Sequence, residues 1–175
     1  HHDIYIVLAA YLLPMALASH IPLALVDIVA EKESKMKVVQ EINGLPTTAY
    51  WLSWLVYFMS YGLFGSVVIL VATRALTPLF ERSSMLLLLL LWMLSFAQAF
   101  VAVCCVAVVC TRMFFASLVG NLLHSLCTLP PVIYVAFAVA MGIPPPWWAT
   151  YLMLALPVAG LAGAIASILW SEWNR

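Results

Sequence analysis

Three stretches of this chain, 4–26, 47–73 and 83–111, contain no Asp, Glu, Lys or Arg. Each is long enough to cross the roughly 30 Å hydrocarbon layer of a bilayer as a helix, which takes about 20 residues. A 175-residue soluble globule has no core large enough to absorb three such runs. Composition agrees, with 66% of residues apolar and 8% charged, against about a quarter charged in an ordinary soluble domain. Disorder is excluded because too little polar chain remains to keep an open coil solvated. Seven Lys+Arg against seven Asp+Glu also excludes a basic nucleic-acid binder, so nucleic acid is not an expected partner. The bilayer is.

The runs predict an all-α, multi-pass membrane protein forming one transmembrane domain over 1–175. About five transmembrane helices are expected, over 4–30, 47–73, 83–111, 113–130 and 147–171. Barrel strands would be shorter and would alternate, and these runs do neither. Pro130-Pro131 removes two backbone donors, so the fourth span is expected to break there. A bent or re-entrant outer hairpin over 131–146 would follow, closed by Pro144 to Pro146 before Trp147-Trp148. Pro14, Pro22 and Pro157 are expected to kink their helices. If 31–45 lies inside, Lys32, Lys35, Lys37, Arg112 and Arg175 share that side and Arg74 and Arg82 lie outside, which is the favoured orientation. Tyr50, Trp51 and Trp54 then sit at the inner interface.

Six of the fourteen charged residues crowd into 31–41. The segment 31–44 reads as a short amphipathic helix lying at the inner membrane face. Met36, Val39 and Ile42 share one side, and Glu31–Lys35, Glu33–Lys37 and Lys37–Glu41 are spaced i,i+4. Gly44 suits a left-handed cap, with Pro46 beyond it as a stop.

Glu31-Lys32-Glu33, then Lys37, then Gly44-Leu45, then Trp51-Leu52-Ser53-Trp54 resembles the membrane domain of class A ABC transporters, the lipid-exporting subfamily. The pattern departs from the family at Val38, where an acid is usual. The resemblance implies spans two to six of one transporter half, a divergent or degenerate copy included. It also implies that the cytoplasmic helix passes motion between a nucleotide-binding domain and the spans, with Glu31, Lys32, Glu33, Lys37, Glu41 and Gly44 at that contact. The same family closes its lipid path with an outer hairpin.

The chain carries no ATP site of its own. A phosphate loop needs Gly-Lys before Ser or Thr, and Lys32, Lys35 and Lys37 follow Glu31, Ser34 and Met36. No catalytic residue, metal or cofactor is expected, and any ATPase belongs to another domain or subunit. The alternative is a non-catalytic accessory subunit of a larger membrane complex, respiratory or photosynthetic. A chain beginning with His rather than Met is compatible with presequence removal, which keeps the mitochondrial inner membrane among the locations.

Other polar residues in the spans allow a proton or ion site at His20 and Asp27, which share a helix face, or a cavity lined by Asn121 and His124. A helix–helix hydrogen bond is the plainer use of the second pair. Ala155, Ala159, Gly163 and Ser167 recur every four residues and form a small-residue packing stripe. Cys104, Cys105, Cys110 and Cys127 sit in apolar runs and read as small packing hydrophobes.

Overall fold

The computed structural model describes residues 12–13, 15–16, 18–76, 83–141, 161, 163–165 and 168. Among them the structure is all-helical, with no strand. In chain order the helices are α1 (His20–Glu33), α2 (Met36–Ile42), α3 (Thr47–Leu76), α4 (Met85–Val109) and α5 (Met113–Met141). Two of them, over Thr47–Ala75 and Met85–Val109, are long and apolar enough to cross a membrane. Among the described residues these two meet that measure, Met113–Leu129 is a shorter apolar helix, and the chain before residue 12 and most of 142–175 lie outside the described residues.

α1 is the packing hub. Its buried face, His20, Ile21, Ala24, Leu25, Ile28 and Val29, follows helical spacing and rests on α5 and α4, while α3 packs along α4. α4 answers with Leu88, Trp92, Phe96, Ala99, Phe100, Val103 and Ala107. The opposite faces stay apolar and exposed, as at Phe64, Leu86, Leu94, Val108 and Phe114. Apolar surface that broad is costly in water and suited to lipid.

Two glycines allow close approach. A Cβ on Gly120 of α5 would stand 2.9 Å from the Cα of Pro22, and one on Gly62 of α3 would stand 2.7 Å from the Phe96 ring. Neither was singled out by the sequence pattern. Of the expected stripe, Ala155, Ala159 and Ser167 lie outside the described residues. No described atom lies within 4 Å of where a Cβ on Gly163 would be.

Two expectations are corrected. α5 runs through Pro130-Pro131 to Met141 without a break, because proline's fixed φ is itself helical and membrane helices tolerate the lost bonds. The return of the hairpin, at 142–146, lies outside the described residues. At Pro22 the helical stretch is interrupted, with a turn at Ser19 between helical Ala18 and the start of α1 at His20, where the Ala18 carbonyl loses the N–H that residue 22 would give.

The second correction concerns the interfacial helix, expected over 31–44. Glu31-Lys32-Glu33 forms the last turn of α1, the chain turns at Ser34 and Lys35, and the separate helix begins at Met36. Lys35 takes the left-handed conformation, φ 59°. Of the expected i,i+4 pairs only Lys37–Glu41 forms, at 3.8 Å. Such pairs contribute about 0.2–0.5 kcal/mol each, too little to hold the helix straight against the contacts described next.

Candidate functional site

The trio Glu31-Lys32-Glu33 ties three helices together. Lys32 Nζ donates to the carbonyls of Ala107 (3.3 Å), Val108 (2.9 Å) and Cys110 (3.0 Å) at the end of α4. Those carbonyls have no partner further along their own helix, and a cation there also answers the helix dipole. Glu33 does the converse at the start of α5. Its Oε2 accepts the Met113 backbone N–H at 2.9 Å, and its Oε1 pairs with Arg112 at 3.2 Å. The Met113 amide, and then Arg112, hold the Glu33 carboxyl below its ordinary range. Glu31 Oε2 accepts from Trp54 Nε1 of α3 at 3.3 Å.

One turn of α1 thus grips the C-terminus of α4, the N-terminus of α5 and the flank of α3. These contacts reach three other helices, whereas an i,i+4 pair joins residues of one helix, and the chain turns at Lys35 instead of continuing as one helix. The partners Arg112, Met113 and Trp54 were not foreseen, because no local pattern says which distant helix end a lysine will reach.

α2 hangs from this clasp. Its C-terminus closes with Leu45 N–H to Gln40 O and Gly44 N–H to Glu41 O, both 3.0 Å, with Gly44 at φ 90°. This is the Schellman pattern that the Gly44 position predicts. Glu41 then joins α2 to α3, accepting from Thr47 Oγ1 at 3.2 Å. No residue of α2 is buried. Met36, Val38, Val39 and Ile42 are all about half exposed or more, with Ile42 at 79%.

His20 and Asp27 are not brought together. Two helical turns, about 10 Å of rise, separate them on α1. His20 is buried among Phe58, Tyr61 and Phe96, with ring centroids 4.6, 5.3 and 4.7 Å away. Asp27 instead lines a recess between α1, α2 and α3. Asn121 turns back on its own helix, donating to Ser117 O at 2.8 Å. His124 reaches across, its Nδ1 3.2 Å from Ala18 O, and makes the helix–helix bond.

Comparison with known proteins reaches the same family as the motif. The chain is 41% identical over 69 residues to the cholesterol transporter ABCA5 of Mus musculus, covering 39% of this chain and 4% of that protein. The human ABCA5 gives the same identity over the same length. ABC transporter A family member 7 of Dictyostelium discoideum is 34% identical over 97 residues, 53% of this chain and 12% of that protein. The chain therefore spans a small fraction of the relatives it matches. No family model matches, and no solved structure matches. The partial similarities link this chain to the A class of ABC transporters.

Proposed function

We propose that this chain is a membrane-embedded part of a lipid-exporting transporter of the class A ABC type. It is not an enzyme by itself, and ATP hydrolysis is supplied by a nucleotide-binding domain or subunit outside it. In this reading five spans cross the membrane, α2 lies on the cytoplasmic side, and its outward face meets the nucleotide-binding partner. Lys37, Glu41 and Gly44 shape α2, while Glu31, Lys32 and Glu33 carry its displacement into the bundle.

The observation that carries the reading is the attachment of α2. A short helix with no buried residue is joined through the clasp to the ends of α4 and α5. A push on α2 is thereby delivered where those two helices meet. The partial relatives, two of them named as cholesterol transporters, support a sterol or phospholipid as cargo. Nothing in those comparisons supports the accessory-subunit alternative.

Gentle purification of the native particle tests this. A co-purifying nucleotide-binding domain, covalently continuous or separate, is the expected result. A particle made of respiratory or photosynthetic subunits would overturn the reading.

A further inference from the structure

Where α1, α2 and α3 meet at the charged end of the bundle, they surround an open recess of about 600 Å³. Two carboxylates line it, Asp27 and Glu31, one turn apart on α1. Among the described residues the ion pairs are Lys37–Glu41 and Arg112–Glu33, and neither includes Asp27 or Glu31. Lys32, next to Glu31 in sequence, is turned to the end of α4. A second observation does not depend on the acids. Tyr50 of α3 is 3% exposed and lines the same recess. Its buried hydroxyl, beside Glu31, closes no hydrogen bond of full geometry. Gln40 of α2 adds a buried Oε1, also without a partner. Buried polar atoms are ordinarily bonded, so the recess is short of a donor.

The acceptors decide which donor fits. Trp54 Nε1 occupies Glu31 Oε2 at 3.3 Å, which leaves Glu31 Oε1, both Asp27 oxygens, Gln40 Oε1 and the Tyr50 hydroxyl. They outnumber the three N–H groups of an ammonium, whereas a guanidinium brings five in a planar fork. A metal ion fits less well, since no group of three His, Cys, Asp or Glu among the described residues is placed to hold one. A zwitterion also fits less well. No Lys or Arg lines the recess, and the Lys37 ammonium, 5.3 Å from the Tyr50 ring centroid, is paired with Glu41. The anion of a zwitterion would therefore face the two carboxylates unanswered. What fits is a guanidinium on an uncharged stem. The methylenes of such a stem can cover Leu45, which also lines the recess. The exposed apolar residues of α2 offer surface to the chain that carries it.

We propose that this recess receives an arginine side chain of a partner protein, its guanidinium held by Asp27, Glu31, Gln40 and Tyr50. The inference goes beyond the transport reading, because it asks for an arginine whether or not the partner binds nucleotide. The test is calorimetric titration of the full chain in phosphatidylcholine nanodiscs, with empty nanodiscs as the blank. The probes are capped Gly-X-Gly peptides in which X is arginine, lysine or citrulline, the last keeping the shape of arginine without its charge. The arginine peptide should bind about tenfold more tightly than the lysine peptide, and the citrulline peptide should not bind measurably. Tyr50→Phe, which removes only the hydroxyl, and Asp27→Asn should each weaken arginine binding by about tenfold while circular dichroism stays helical.

The order of the peptides on the unmodified chain does not depend on any variant folding. Loss of arginine binding when phosphatidylethanolamine replaces phosphatidylcholine would assign the recess to a lipid amine and overturn the proposal. Lysine or citrulline bound as tightly as arginine, no binding of the arginine peptide, or binding unchanged in both well-folded variants would overturn it as well.

Discussion

Pro22 has no N–H to give, so the carbonyl of Ala18, four residues earlier, needs another donor. His124 of α5 supplies it, its Nδ1 3.2 Å from that oxygen, a contact in which Nδ1 must donate because a carbonyl only accepts. Gly120, one turn before His124, is what lets α5 come close enough, since a Cβ there would press on Pro22. Replacing His124 by Ala should leave that carbonyl unpaired and cost about 1–3 kcal/mol, read by thermal unfolding in detergent. In a Pro22→Ala background, where the backbone can bond Ala18 itself, the same change should cost markedly less. Equal losses in both backgrounds would refute the joint. Lys35 presents a second single-residue expectation. Its left-handed backbone costs an L-residue about 1 kcal/mol, so Lys35→Gly should leave stability equal or higher. A clear loss would mean that the turn is not built as described.

At the scale of elements, the helices were legible and their fastenings were not. Charge-free runs over 47–73 and 83–111 anticipate α3 and α4 to within a few residues at each end, because lipid demands long uninterrupted helices. Gly44 and the Lys37–Glu41 pair were also readable, being local in sequence. The clasp was not, because Glu33 and Arg112 lie 79 positions apart and Arg112 stands alone between two charge-free runs. The proline pair in α5 misled for the reverse reason, as a strong local rule overridden by a helix that stays continuous. Lys32→Ala should lower stability by roughly 1–2 kcal/mol, more than Lys37→Ala, which breaks a part-exposed i,i+4 pair and removes the ammonium from the Tyr50 and Trp51 rings. Similar losses would deny Lys32 its role at the end of α4. Acid should loosen the same clasp. The Glu33 carboxyl is held below its ordinary value of 4.5 by the Met113 amide and Arg112. Its contribution is therefore complete above that value and fades as pH falls through the lowered one. Unfolding followed from pH 6 downward should show this loss, and Glu33→Gln should abolish that part of the pH dependence.

For the whole molecule, topology follows from α3. Its 30 residues extend about 45 Å, enough to place Thr48 and Arg74 on opposite sides of a bilayer. In a background lacking Cys104, Cys105, Cys110 and Cys127, single cysteines at those two positions should label from opposite faces, and one at Lys37 should label with Thr48. The same face is where α2 presents Met36, Val39 and Ile42 outward, and the proposed coupling role rests on that presentation. The most direct test is the ratio of lipid exported to ATP hydrolysed, measured in proteoliposomes of the assembled transporter with Ile42→Asp in this segment. Ile42 is 79% exposed, so the change spares the bundle while placing a charge on the surface offered to the nucleotide-binding partner. A ratio reduced by about tenfold, a loss of ~1.4 kcal/mol of coupling, with membrane insertion intact, is the predicted result. An unchanged ratio would contradict transmission through α2.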